Sequence, residues 1–509
     1  MNKNILILIG TIMVVMFGSL VLGQSVATED YGVVSVIVGG VILVGVIITL
    51  KYNIWILLPM LFAFNGRILL LPLPFSVSNL TVMFVFTVVV SQVALGFIDA
   101  RLRVTKTDFL GFLCLGGIGL TFLLNPVGIA AMGSDTVGSR PYFEILLSVL
   151  AYLVLAVVTP DLATLRKLPI YVISLSFIMA MGQAVAYFFI SVGMKLQMVY
   201  SGFAPQLEYS ADPNAVHVSR LRFVVGPFKR WMLYAMARPN AWRNMGLVIT
   251  ILIIIAHLVG ALMTGHRLAL INWAAHIGLF IFITRKFQIG LILGAAGLCM
   301  VGGLYTYHHT IGPIPLSAQR VLTTLPGDWD HNVVKDTNDS TEWRIEMWEQ
   351  AIFDEEMIRN KFLGDGFGYS SRELLLIGEM ATGEGMMGGV RPEDLAQYYL
   401  LTGDLHSGPV STIKHVGYLG LCCVVLFIIS IAVGYYKLCR RNQGKPLWIV
   451  FMFFGIPAVW KPISFVFLYG DFKTDFGAIL VTAGLLKILQ KAEILQNRQL
   501  LEQQKASSA

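Results

Sequence analysis

The chain has 509 residues, of which 56% are hydrophobic and 13% charged, and its mean hydropathy is +0.72. Soluble globular domains carry about 25% charged residues, so the composition excludes an ordinary soluble protein. The net charge of +7 does not indicate nucleic-acid binding, because Lys and Arg of membrane proteins collect in cytoplasmic loops. The five cysteines lie in or beside apolar runs without metal-ligand spacing, which predicts neither a zinc site nor disulfides.

Long apolar runs predict an all-α polytopic membrane protein, since a membrane helix needs ~20 apolar residues. The first run is longer than the core of a typical signal peptide and lacks an evident cleavage site, so we predict that it is retained as a span. The predicted spans lie near residues 5–23, 33–50, 53–72, 79–97, 109–124, 142–159, 169–194, 246–264, 268–284, 287–306, 413–436, 446–469 and 474–490.

The basic connections require one crossing more than these thirteen spans. Lys and Arg should face the cytoplasm, and the basic connections include Lys3, Lys51, 99–106, 166–167, 285–286 and 437–445. A crossing by residues 218–237, which contain Arg220, Arg222, Lys229 and Arg230, places all of them on one side. Cations within a membrane cost several kcal/mol unless they face a cavity or partner. The segment therefore predicts an anion site; the alternative is an amphipathic helix on the membrane surface.

The resulting architecture has about 12–14 transmembrane helices, with both termini in the cytoplasm. Residues 1–306 hold the first eleven spans. Residues 307–412 form one large, mainly helical extracytoplasmic loop domain. Residues 413–490 hold the last three spans. Residues 491–509 form a cytoplasmic tail that continues the last helix and ends disordered. Internal repeats, which are common in secondary transporters, are not evident.

The loop domain contains two predicted helices. The first begins near 339, with Asp339 or Ser340 as its cap, and ends at "LGDGFG" (363–368), whose glycines permit a tight turn. The second, 391–403, brings Asp404 and His406 to the top of the span near 413. His308, His309 and His331 could bind a metal, but loop histidines are more often solvated, and no acidic cluster is present. We therefore predict no metal.

Cations gather on the predicted outer face of the membrane. A single arginine at a membrane boundary is usually an anchor, whereas several on one face indicate an anion site. Arginine binds phosphate oxygens in bidentate fashion, and histidine is suited to proton transfer near neutral pH. The set therefore predicts a site for a lipid-linked pyrophosphate. Its members are Arg220, Arg222, Arg267, Arg320, Arg344 and His406.

Over residues 215–440 the chain resembles the bacterial O-antigen ligase and polysaccharide polymerase superfamily. The resemblance is carried, in order, by "MTGHRLAL", "TEWRIEMW", "LGDGFG" and "LHSGPVSTIKHVGYLGL". The chain departs from the family at His266, where a serine is usual. The resemblance implies a fold like that of the C-type glycosyltransferases and a metal-independent, inverting enzyme in the bacterial inner membrane.

The resemblance also implies the substrates and the roles of the site residues. A glycan would pass from undecaprenyl pyrophosphate to lipid A core or another glycan acceptor on the periplasmic face. His406 and Arg267 would be the catalytic residues, with His406 as base or acceptor-orienting group. The pyrophosphate would be held by the remaining members of the set, Arg220, Arg222, Arg320 and Arg344.

Several alternatives stay open. The sequence does not separate a ligase from a polymerase, and an exopolysaccharide or a protein could be the acceptor. A lipid-linked glycan flippase would also need a cationic cavity, although the long outer loop disfavours it. An intramembrane protease is disfavoured because the chain has no HExxH or GxSxG motif.

Overall fold

A computed structural model describes residues 51–60, 66–69, 75–99, 102–126, 139–203, 221–354, 357–368, 403 and 405–508, without the side chains of Lys51, Tyr52 and Arg222. The predicted spans 5–23 and 33–50, residues 391–402 of the predicted helix 391–403, Arg220 and Asp404 lie outside these residues. Within the described ranges the chain is helical and contains no strand, apart from an isolated antiparallel bridge between Ile68 and Tyr200.

The longer helices are labelled α1 to α14 in chain order. They are α1 Val77–Ala94, α2 Lys106–Leu124, α3 Arg140–Val157, α4 Leu162–Phe188, α5 Ile190–Val199, α6 Val225–Ala237, α7 Asn244–Met263, α8 Arg267–Thr284, α9 Phe287–Thr310, α10 Leu316–Leu322, α11 His331–Phe353, α12 Gly408–Arg441, α13 Trp448–Ile463 and α14 Phe472–Ser508.

Nine helices of the described chain are long and apolar enough to cross a membrane, which makes the protein an all-α polytopic membrane protein. They are α1, α2, α3, α4, α7, α8, α9, α12 and the continuous stretch Trp448–Leu468, which joins α13 to a short π-helix, Ser464–Leu468.

The predicted span 53–72 is not one helix. The chain forms a 3-10 helix, Lys51–Ile56, and then a single α-helical turn, Leu57–Met60. Farther along, Gly66 adopts φ +157°, and a Cβ there would lie 2.5 Å from the backbone nitrogen of Gly202. The backbone near Gly66 therefore packs directly against residues 200–203, which a continuous helix would not allow.

Several basic connections in the described part of the chain meet at one end of the helix bundle, which we call the basic end. The Lys487 ammonium on α14 donates to the Arg103 carbonyl at 2.8 Å, which places the connection before α2 at this end. Arg440, at the end of α12, donates to the Ile283 carbonyl at the end of α8. The turn between α6 and α7 lies at the same end, because its Trp242 packs against Phe280 of α8. The centroids of the two rings are 5.8 Å apart.

The segment that contains α6 extends along the whole of α7. Helix α6 has 13 residues and is about 20 Å long, which is too short to cross ~30 Å of hydrocarbon. A 3-10 turn, Arg222–Val224, precedes it. The Leu221 N–H donates to the carbonyl of Met263, the last residue of α7. The segment therefore begins at the end of α7 that is opposite the basic end; a full membrane crossing stays a prediction.

Helix α14 continues into the tail as predicted, but the predicted disordered end is wrong. It continues to Ser508, and Ala492 and Gln496 are buried within the predicted tail. The Lys491 ammonium donates to the carbonyls of Val157 and Val158 at the end of α3. The residues after Lys491 are mostly Leu, Glu, Gln and Lys, which have high helix propensity. The helix therefore continues beyond the residues that are buried against the bundle.

The start of α11 also differs from the prediction. The carboxylate of Asp330 accepts hydrogen bonds from the N–H groups of Asn332 and Val333, so the helix begins at His331. Asp339 and Ser340 lie inside it, and the helix ends at Phe353, before the predicted end at "LGDGFG". Helix α12 begins at Gly408, capped by Ser407, and contains a non-helical residue at Gly417.

Candidate functional site

Four of the six predicted site residues lie together at the end of the bundle opposite the basic end. We call Arg267, Arg320, Arg344 and His406 the arginine–histidine cluster. Arg344 interacts electrostatically with Arg320, Arg267 and Tyr469. The His406 ring stacks on Tyr469, with 5.4 Å between centroids and 24° between planes. Tyr469 therefore links the histidine to the arginines.

Arg267 is positioned by the tight turn between α7 and α8. Gly265 in this turn has φ +66°, a conformation that glycine adopts without steric cost. Arg267 is the first residue of α8, and its Nη2 donates to Thr341 Oγ1 on α11 at 2.9 Å. The contact joins the α7–α8 turn to the helix that carries Arg344.

Arg320 has polar partners that account for its position. Its Nε lies 2.5 Å from Asp336 Oδ2 on α11, and its Nη1 donates to the Gly265 carbonyl at 2.8 Å. The carboxylate compensates its charge. Arg320 therefore fastens α10 to α11 and to the turn before Arg267, which is a structural role beside the predicted pyrophosphate contact.

Arg344 has a different environment. Its Nε is buried and has no hydrogen-bond partner, and no ion pair connects it to a carboxylate among the residues that the structure describes. Burial lowers the pKa of its guanidinium from the ordinary value, and the nearby charges of Arg320 and Arg267 lower it further. Arg344 is thus a half-buried cation with cationic neighbours, an arrangement that favours an incoming anion.

His406 adopts φ +50°, a left-handed conformation that is uncommon outside glycine. The residues on either side of His406 fix its backbone. The Leu405 carbonyl accepts a hydrogen bond from Trp348 Nε1 at 2.7 Å, and Ser407 caps α12. The ring lies between Tyr469 and Trp343, whose centroid is 6.2 Å away. Backbone strain of this kind costs about 1–3 kcal/mol and often occurs at functional sites.

The glycine-rich turn after α11 packs against the first residues of α12. The N–H groups of Asp365 and Gly366 donate to the carbonyls of Lys414 and His415, at 2.7 and 3.0 Å. Gly364 and Gly366 have positive φ values. A Cβ at Gly364 would lie 2.4 Å from the Val416 nitrogen. The turn "LGDGFG" therefore supports the start of α12, directly after His406.

Sequence reasoning missed a buried polar group beneath His406. Ser411 Oγ lies 2.7 Å from Asp471 Oδ1. The His415 ring contacts the Gly366 carbonyl through Nδ1 at 2.8 Å, and its Nε2 has no hydrogen-bond partner. The signal in the sequence was the polar stretch "STIKH" (411–415) at the start of an apolar run.

A cavity inside the bundle was also not predicted. It encloses about 350 Å³ and is lined by Lys229 and Arg230 of α6, together with Lys461 of α13. The sequence had indicated that the two α6 cations face an anion, but not that Lys461 would join them. Lys461 forms a salt bridge with Asp475 at 2.6 Å.

The remaining predictions have mixed outcomes. Arg220 and the side chain of Arg222 lie outside the described residues, so their predicted contact with pyrophosphate stays a prediction. Within the described ranges, no group of three His, Cys, Asp or Glu side chains could hold a metal ion. His308, one of the three loop histidines, instead contacts the Asp328 carbonyl and the Ile314 N–H.

No known protein family matches the chain, and no curated protein matches it either. The fold and the cluster define the protein at the level of class: it is a multi-pass, all-α membrane protein with a group of arginines and one histidine at one end of the bundle.

Proposed function

We propose that the protein is a membrane glycosyltransferase of the O-antigen ligase and polymerase superfamily. It transfers a glycan from undecaprenyl pyrophosphate to an acceptor at the periplasmic face of the bacterial inner membrane. The observation that carries the proposal is the meeting of Arg267, Arg344 and His406 at one end of the bundle. The basic connections lie at the other end, which the positive-inside rule assigns to the cytoplasm together with both termini.

The cluster contains the groups that such a transfer needs. The acceptor oxygen forms a bond to the anomeric carbon of the donor sugar with inversion, and the bond from that carbon to the pyrophosphate oxygen breaks. His406 takes the proton of the acceptor hydroxyl. Arg267 and Arg344 stabilise the negative charge on the leaving undecaprenyl pyrophosphate. This account uses no metal.

The direct test is transfer by the purified full-length protein. It would be incubated with undecaprenyl-pyrophosphate glycan, with and without lipid A core, in the presence of a chelator. Products would be read by gel electrophoresis and mass spectrometry. Glycan on lipid A core identifies a ligase, and a longer lipid-linked glycan without lipid A core identifies a polymerase. Absence of transfer combined with movement of the lipid-linked glycan across vesicle membranes would contradict the proposal and favour a flippase.

Replacement of the histidine tests its role in the chemistry. His406→Ala should reduce transfer by at least ~100-fold, because general-base catalysis contributes about 10²–10⁴-fold, while expression and membrane insertion stay normal. The matched control is His331→Ala, which changes an exposed histidine at the start of α11 and should leave transfer unchanged. Full transfer by His406→Ala would exclude His406 as the base.

A further inference from the structure

The cavity inside the bundle is separate from the arginine–histidine cluster and is lined by three cations, Lys229, Arg230 and Lys461. It lies among α4, α6, α12, α13 and α14. Most of its wall is apolar and includes Leu233, Ile428, Ile431, Phe453 and Phe454. Its volume of about 350 Å³ is within the usual range of small-molecule sites. None of the four residues of the arginine–histidine cluster lines it.

Its three cations differ in how their charge is compensated. Lys461 forms the salt bridge with Asp475 and lies 5.7 Å from the ring centroid of Phe465. Arg230 donates from Nη1 to the neutral hydroxyl of Ser176. Lys229 forms no hydrogen bond or ion pair with any described residue, and its electrostatic neighbours Arg230 and Lys461 are both cations. The positive charge of Lys229 therefore has no matching carboxylate in the described part of the chain.

The position of Lys229 within the membrane makes its uncompensated positive charge energetically unfavourable. Lys229 lies near the middle of residues 221–237, which extend along the whole of α7. Helix α7 has 20 residues and is about 30 Å long, close to the thickness of the hydrocarbon core. An uncompensated cation at that depth costs several kcal/mol. A bound anion removes most of this cost.

We propose that this cavity binds a phosphate group attached to an apolar chain, with the phosphate on Lys229 and Arg230 and the chain along the apolar wall. An adjacent Arg and Lys offer a bidentate fork and a point charge, which together suit phosphate. A polyprenyl phosphate and an anionic phospholipid share this chemistry. The proposal is independent of glycan transfer, because binding requires neither an acceptor nor the cluster.

The test measures binding of farnesyl monophosphate to the full-length protein in detergent micelles, by equilibrium binding of the radiolabelled compound. Lys229→Gln and Arg230→Gln should each weaken binding by ten-fold or more, whereas Lys229→Arg should bind normally. Arg238→Gln, which changes an exposed cation directly after α6, should leave binding unchanged. Equal affinity in Lys229→Gln and the wild type would overturn the proposal.

A second measurement on the wild type needs no variant. Farnesyl monophosphate should raise the midpoint of thermal unfolding, because a ligand that binds only the native state stabilises it, and farnesol should not. A rise with farnesol, or an equal rise with inorganic phosphate, would contradict a site for a phosphate on an apolar chain. Competition by dioleoyl phosphatidylglycerol would identify phospholipid as a source of the ligand, and its absence would favour a polyprenyl phosphate; both outcomes support the site.

Discussion

Arg320 and Arg344 carry the same charge in the same cluster, but the structure gives them different tasks. Arg320 is paired with Asp336 and donates to the α7–α8 turn. Arg344 is half-buried, its buried Nε has no hydrogen-bond partner, and its electrostatic neighbours include two cations. An arginine paired with a carboxylate stabilises the fold, whereas a partly buried arginine without a carboxylate is destabilising until an anion binds.

We therefore expect substitution of Arg344 to affect mainly activity and substitution of Arg320 to affect mainly stability. Arg344→Gln should lower glycan transfer by ~100-fold or more, the usual effect of removing a group that stabilises developing negative charge, without lowering the thermal midpoint. Arg320→Gln should lower the midpoint, because it removes the ion pair with Asp336 and the hydrogen bond to the Gly265 carbonyl. The two variants would be compared in the transfer assay and in thermal unfolding in detergent. The opposite pattern would show that Arg320 contacts the donor.

Gly417 is the residue whose backbone conformation most constrains the start of α12. It has φ +68°, and a Cβ there would lie 2.1 Å from the Phe362 carbonyl oxygen. Gly417→Ala should therefore destabilise the protein by at least about 1–3 kcal/mol, the cost of a strained backbone position, as measured by thermal unfolding. Gly119→Ala is the matched control in α2, because nothing lies within 4 Å of its added methyl group. Equal midpoints for the two variants would contradict the strain.

At the level of the helices, the sequence predicts most spans to within a few residues, because apolar runs of sufficient length leave little choice in a membrane. Helix starts are predicted less well. "HSGPV" offers a serine cap and an early proline, which is a good signal for the observed start of α12 at Gly408. For α11, Asp330 and Asp339 are both suitable caps, and only the packing of the helix decides between them.

The last helix is fastened to the bundle by a buried ion pair near the basic end. Lys487 on α14 contacts Asp108 on α2, and both side chains are almost fully buried. The Tyr152 hydroxyl of α3 donates to the same carboxylate at 2.6 Å. One cation and one carboxylate thus connect three helices.

Removal of one partner of this pair should cost about 3–5 kcal/mol, because it leaves a buried charge uncompensated. Lys487→Met should accordingly lower the thermal midpoint strongly. The double variant Asp108→Asn/Lys487→Met should recover most of the loss. Lys505→Met, in the exposed part of α14, serves as the control. A double variant no more stable than Lys487→Met would show that the pair does not act as a unit.

For the whole molecule, the sequence indicates which residues form the arginine–histidine cluster but not which contacts bring them together. Arg267 and His406 were predicted from their positions at the ends of spans, and Arg344 from a helix that starts elsewhere than expected. The cavity could not be predicted, because Lys461 reaches Lys229 only through the packing of α13 against α6. That packing is a tertiary contact between helices more than 200 positions apart in the sequence.

The proposed orientation of the chain in the membrane can be tested by labelling single cysteines at the two ends of the bundle. In a background with the exposed Cys299 and Cys422 replaced by Ser, single cysteines would be introduced as Asn338→Cys and Gln504→Cys. An impermeant maleimide should label Asn338→Cys in right-side-out vesicles. It should label Gln504→Cys only after permeabilisation, since α14 ends at the basic end and the basic connections should face the cytoplasm. Reversed labelling would place the cluster in the cytoplasm and contradict the proposed function.

The length of α14 has a practical consequence for imaging. The helix has 37 residues and is about 55 Å long, and most of the residues beyond Gln496 are exposed. A rigid soluble protein fused in helical register to this end would keep a fixed orientation relative to the bundle. It would provide a fiducial outside the detergent belt for aligning particles of a 56.2 kDa chain.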